Sequence, residues 1–246
     1  MRQHPLTWLF ILLNIAVFLL VFSMPDEMRT KVFDDFSFRP AMPFELWRWL
    51  TSIFLHVSPS HLFFNMLGLY FFGKNLEEDI EKQWWLSIYF ISAFLGSFVF
   101  MLTNTENAVG ASGAVFGLLG ATMFLNPIKI NHIFMFPLPM GITAILFVIV
   151  ETMAITGIYR APELANVANI AHVAGLITGS LFAFFYSAKR SLEGFLVLVI
   201  CAMLLVVMGP VFLMIASFGS VALQGIDVVV GFILLGIAKL ISPVWL

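Results

Sequence analysis

Ser112, His172, His61 and Asn65 are the residues of this chain whose types and spacing point to chemistry. Ser112 stands in Gly110-Ala111-Ser112-Gly113, at the head of an apolar run expected to be helical. A serine there lies beside the unpaired N–H groups of the first turn and the positive end of the helix dipole. Both suit the oxyanion of an acyl-transfer intermediate. A hydroxyl nucleophile needs a base, and His172 is the candidate. Gly113 and Gly117 form one small-residue helix face, and Gly175 and Gly179 form a second, with His172 about a turn before it. Two such faces let helices approach closely, which would bring His172 to the Ser112 hydroxyl. The apolar runs offer no Asp or Glu placed to orient His172, so a Ser–His dyad is expected rather than a triad. His61 and Asn65, spaced i and i+4, share a helix face. Each can donate a hydrogen bond, and with the Ser112 amide they could complete an oxyanion hole.

Each of these residues also has a plainer reading. A serine on a glycine-rich membrane helix commonly packs, and a histidine there commonly serves as a structural hydrogen-bonder. The G-x-S-x-G elbow of α/β-hydrolases is absent, because position 114 is Ala and no strand precedes it. A metal site on His56 and His61 is disfavoured. Five residues apart, they would point about 140° away from one another on a helix, and no carboxylate or cysteine joins them. No metal and no cofactor are expected.

The elements that must position these side chains follow from composition. Of 246 residues, 61% are hydrophobic and 11% charged, and the mean hydropathy is +1.02. A soluble domain carries roughly 25% charged residues, so a solvated globule is excluded, as is a disordered scaffold. The net charge of −2 gives no attraction to nucleic acid. A single cysteine, Cys201, rules out a disulfide framework. The fold class is therefore an all-α polytopic membrane protein. Apolar runs of bilayer-spanning length are read at 6–23, 57–73, 84–103, 112–125, 133–151, 165–187, 194–217 and 222–243, eight in all.

Lysine and arginine in the short loops set the expected orientation. Arg2, Lys74, Lys82, Lys129, Lys189, Arg190 and Lys239 fall on one side. The other side has Arg160 and a long first loop (24–50), whose four basic residues accompany five acidic ones. Both termini are thus expected in the cytoplasm, in a prokaryotic inner membrane. The second, fourth and sixth spans then run from outside to inside, each with its polar residue in the first third. That places Ser112, His61, Asn65, Asn169 and His172 at one depth. The fourth span, 112–125, covers about 20 Å of a hydrocarbon core about 30 Å thick. Its start is therefore expected below the outer face, after a non-helical segment (104–111) that protein or a wet cavity must line. Glu151 and Asp227 lie near span ends, where an aqueous edge accounts for them.

With those residues in place, the chain resembles the rhomboid family of intramembrane serine proteases. Glu45-Leu46-Trp47-Arg48 is similar to the family's Trp-Arg motif, and His56 to Asn65 to its second-helix His and Asn pattern. Gly110-Ala111-Ser112-Gly113 resembles the nucleophile motif, and Asn169 to Gly175 the sixth-helix base motif. The resemblance implies a six-helix catalytic core (1–190), with Ser112 as nucleophile and His172 as base. It implies His61 and Asn65 as oxyanion donors, with Gly110, Gly113, Asn169 and His56 in support. Phe116, where many relatives carry Tyr, would pack on the His172 ring. Trp47 and Arg48 would support a partly embedded first loop. The fifth helix and loop 152–163 would form a gate and cap, and the site would open to the outer face. The substrates implied are membrane proteins cut in or near a transmembrane helix through an acyl-enzyme. The alternative is a non-catalytic relative that binds transmembrane clients. Residues 191–246 depart from the common arrangement and carry about two further helices of no assigned role.

Overall fold

A computed structural model describes residues 4–133, 136–155 and 169–207. The chain divides into two units, Met1–Val199 and Ile200–Leu246, and the second lies almost wholly outside the described residues. Among its described residues the first unit is mainly helical, with one two-stranded hairpin.

Helix α1 (Pro5–Phe22) begins with Pro at its first turn, where the missing N–H costs nothing. Its N-terminus is capped from far away in sequence. The Glu77 carboxylate accepts from the Leu6 and Thr7 amides at 2.8 and 2.9 Å and from the Thr7 hydroxyl at 2.7 Å. Two short helices follow in the first loop, α2 (Asp26–Phe36) and α3 (Leu46–Thr51). Neither was expected from the sequence, because both are too short or too polar to read as spans. Arg48 organises this loop. Its side chain is buried, pairs with Glu45, and donates to the carbonyls of Asp34 at 2.7 Å and Ser37 at 3.2 Å.

The second span is continuously helical over 59–77, with one wider turn in its middle. Helix α4 (Pro59–Gly68) is capped by the Ser58 hydroxyl, which accepts from the His61 amide at 3.1 Å. A π-turn (Leu69–Gly73) and the short helix α5 (Lys74–Glu77) continue it. The Trp85 indole, from α6 (Lys82–Thr103), donates to the Gly73 carbonyl at 3.0 Å. A carbonyl in such a distorted turn needs an outside donor when it is buried. Leu69, Phe72, Leu76, Trp85, Ile88 and Tyr89 fill the core at this level, with Phe10 of α1 packed on the Trp85 and Tyr89 rings.

Helix α7 (Ser112–Leu125) is buried on nearly every side. Its fourteen residues span about 21 Å. The segment before it is non-helical, as its length requires, and protein supplies its hydrogen bonds. Ala108 and Phe38 exchange a pair of backbone bonds at 3.0 Å, and the Gly110 amide donates to Ser52 O at 2.9 Å.

After α7 the structure departs from expectation. The fifth apolar run opens as a hairpin, Ile130–Ile133 paired antiparallel with Phe136–Pro139, so α8 spans Met140–Ile155 rather than starting near 133. Prolines 137 and 139 remove amide donors and disfavour helix there. Helix α9 spans Asn169–Tyr186. Helix α10 (Ala188–Val207) begins about a turn and a half earlier than read. Lys189 and Arg190 looked like a loop, yet they are helical. Arg190 finds partners in Leu125 O at 3.0 Å and Asn126 Oδ1 at 2.5 Å, so its charge does not force a break. Among the described residues α1, α6, α9 and α10 are long and apolar enough to cross a membrane, with α7 and α8 as shorter apolar helices. The eighth expected span (222–243) and Arg160 lie outside the described residues, as does most of the expected cap.

Candidate active site

Ser112 is the first residue of α7, and the turn before it is built by Gly110. Its φ of +120° is one that L side chains rarely adopt, and a Cβ there would lie 2.7 Å from His61 Nε2. Glycine is therefore needed twice over, for the backbone turn and for the approach of the His61 ring.

The two small-residue faces meet. A Cβ on Gly175 would lie 2.2 Å from Gly113 O, and one on Gly179 would lie 1.8 Å from Gly117 O. Helices α7 and α9 are thus in backbone contact at both levels. The contact sets Ser112 and His172 at the same end of the pair. The His172 ring is buried and lies on Phe116, with centroids 4.4 Å apart and planes within 4° of parallel. That stack holds the imidazole plane in a fixed orientation.

His61 stands at the third position of α4, partly buried, its Nδ1 without a protein partner. The His56 ring meets it edge-on at 5.0 Å and is almost wholly buried. Asn65 is buried one turn on. Its amide donates back to His61 O at 2.9 Å, which leaves one N–H uncommitted and Oδ1 without a protein partner. Asn169 opens α9 three residues before His172, and its Oδ1 is likewise unpartnered. A cavity of about 30 Å³ lies beside Ser112, walled by Ser52, Ser97, Phe100, Gly110 and Ala171. That is room for one or two waters.

The fold therefore gathers Ser112, Gly110, Gly113, Phe116, His61 and His172, with His56 behind His61. It does not bring Trp47 or Arg48 to this group. Trp47 is half-exposed on the first loop, where its indole donates to Asp35 O at 3.3 Å, and Arg48 is spent on loop carbonyls. Sequence reasoning missed Ser52 and Ser97. A lone hydroxyl in an apolar run barely lowers its hydropathy, so only the cavity reveals them. Among the described residues no cluster of His, Cys, Asp or Glu is arranged to hold a metal.

Ser112 thus stands, partly buried, at the start of an otherwise buried helix, at the same end of the α7–α9 pair as the ring-stacked His172. The model of the rhomboid domain matches residues 43–189. That is well over half the chain, and the protein belongs to the rhomboid family. It is similar to the rhomboid protease GlpG of Salmonella paratyphi A and to that of Salmonella typhi, each 28% identical over 183 residues. The match takes in 74% of this chain and 63% of each relative, so the chain covers less than two thirds of their length.

Proposed function

We propose that this protein is an intramembrane serine endopeptidase that cleaves membrane proteins in or near their transmembrane helices. The observation that carries the reading is the glycine-to-backbone contact of α7 with α9, which sets Ser112 and the Phe116-stacked His172 at one end of the bundle. In this reading His172 removes the proton from Ser112 Oγ as the oxygen attacks the scissile carbonyl. The oxyanion takes hydrogen bonds from the Ser112 amide, His61 and the spare Asn65 N–H. His172 then returns the proton to the departing amine, leaving an acyl-enzyme. Water from the small cavity, deprotonated by His172, releases the acid and restores the serine. A helical substrate hides its carbonyls, so the bound segment must be extended. Such unwinding is tolerable only beside a wet, protein-lined site.

The same reading makes 1–190 the catalytic core and leaves 191–246 accessory. It puts both termini in the cytoplasm of a bacterial membrane, with the site opening to the opposite face. The test is twofold. The purified protein should cut a transmembrane substrate, and a fluorophosphonate probe should label wild type but not Ser112→Ala. Cleavage that survives Ser112→Ala would overturn the mechanism. A folded protein that neither cleaves nor labels would instead be a non-catalytic binder of transmembrane clients.

A further inference from the structure

Helix α10 begins at Ala188, and the rhomboid-domain match ends at residue 189. The first turns of α10 nevertheless make contacts that an appended span does not need. Ser187 closes α9 and opens α10. Its amide donates to Ala183 O at 2.9 Å, and its carbonyl accepts from the Ser191 amide at 2.9 Å. Its hydroxyl accepts from the Arg190 amide at 3.4 Å, three residues on, as an N-cap does. The helix that follows takes a new direction. Gly175 and Gly179 meet Gly113 and Gly117, a register that sets Tyr186, the last residue of α9, level with Phe124. Continued in line, α10 would carry Gly194 about 10 Å past that level. Instead, a Cβ on Gly194 would lie 1.8 Å from Phe124 O, so α10 folds across the end of α7.

The contact supplies what that end of α7 lacks. A helix leaves its last carbonyls without intrahelical donors, and hydrocarbon offers no water to replace them. With about 21 Å of length in a core about 30 Å thick, α7 cannot reach water at both ends. At the Leu125 end, Arg190 Nε donates to Leu125 O at 3.0 Å, and the missing Cβ of Gly194 lets its backbone close on Phe124 O. A cation in the first turn of α10 opposes that helix's own dipole. The same guanidinium stands at the carbonyl end of α7, where positive charge is favoured. Arg190 is thus placed to serve α7 rather than its own helix. Ser191, Gly194 and Leu198 are buried, spaced along one helix face, while Leu192, Phe195, Leu196 and Val199 are exposed. These residues all lie within the first unit, which runs to Val199.

We infer that α10 is a working member of the bundle that holds Ser112 and His172, a strap whose first turns cap and seat the Leu125 end of α7. This takes residues 191–199 out of the accessory segment. The helix that begins with Ser112 then depends for its stability on residues beyond the rhomboid-domain match. The inference does not rest on catalysis, so its failure and that of the protease reading are separate outcomes.

The test uses the purified full chain in mild detergent. Gly194→Leu sets side-chain atoms against the Phe124 backbone and should lower the melting temperature by roughly 4–10 °C. Arg190→Gln adds no bulk and removes the charge, so a smaller drop is expected. The double variant should melt close to Gly194→Leu alone, because an undocked helix has already lost the Arg190 bonds. Leu196→Ala, on the exposed side, should stay within about 2 °C of wild type. Limited trypsin digestion below the melting temperature reads docking itself. Cleavage after Lys189 should be at least about tenfold faster in Gly194→Leu than in wild type, since it needs only α10 to lift. If Gly194→Leu does not fold, Arg190→Gln carries both measurements. Melting and digestion at wild-type values in these variants would overturn the inference, as would effects that add in full in the double variant.

Discussion

Helices α7 and α9 carry polar groups at both ends, and the two ends treat them in opposite ways. At the Leu125 end almost everything is paired. Asn126 donates to Asn75 Oδ1 and Asp79 Oδ2, both at 2.8 Å, while Lys129 reaches Asp79 at 2.9 Å and Glu78 at 2.6 Å. Arg190 closes the set on Leu125 O and Asn126, and the Tyr186 hydroxyl donates to Asp79 O at 3.3 Å. These bonds join the ends of α5, α7, α9 and α10. About 20 Å away along α7, the Ser112 end holds His61 Nδ1, Asn65 Oδ1 and Asn169 Oδ1 without protein partners. A buried polar group left unpaired costs on the order of 1–3 kcal/mol. A fold that pairs most polar groups at one end and leaves several open at the other has a clamp at the first and open hydrogen-bonding capacity at the second. In the proposed reading that capacity is kept for a substrate and its oxyanion.

Substitutions at each end should therefore separate activity from stability. The largest effect is expected from His172→Ala, which should lower cleavage by roughly 10⁴-fold or more, as loss of a base does in serine hydrolases. Its melting temperature should stay close to wild type. A residual rate near wild type would show that another group serves as base. His61→Ala should cost about 10²-fold in kcat with KM little changed, the scale of one lost oxyanion donor. A change confined to KM would place His61 in binding instead. At the other end the pattern should invert. Asn126→Ala leaves Arg190, Asp79 and Asn75 short of a partner, and should cost about 1–3 kcal/mol of stability with kcat per folded molecule unchanged. Thermal unfolding alongside turnover decides this. Phe116→Tyr should do least, because it keeps the ring on His172; a rate change within about threefold is expected, below the ~1 kcal/mol of a typical point substitution.

Much of the candidate site is legible in the sequence. An apolar chain with 11% charged residues leaves few polar side chains inside its spans, so Ser112, His61, Asn65 and His172 stand out by contrast. The matched glycine pairs were visible as spacing, and the short fourth span was visible as length. The rest could not be read locally. Helices α2 and α3 are held by Arg48 reaching loop carbonyls. The hairpin at Ile130–Pro139 looked like the head of a span because its residues are as apolar as a helix's. Ser187 alone separates α9 from α10, and the Arg190 guanidinium is held by the uncharged oxygens of Leu125 and Asn126.

Composition and spacing by themselves determined the solvent, the helical class and the residues able to do chemistry. Hydrocarbon forces every backbone group to pair within its own helix, and that makes spans and their exceptions readable in one dimension. Glycine spacing already pointed to the meeting of α7 with α9; tertiary structure decided its register and what else joins it. The Gly175 and Gly179 contacts on Gly113 and Gly117 carbonyls set the register of α9 against α7, and the Gly110 turn brings His61 to the start of α7. The same packing left an apolar groove beside α1 and a well-paired clamp at the far end. Local spacing can mark which faces are able to meet, but register and hydrogen-bond partners depend on shape between segments distant in sequence.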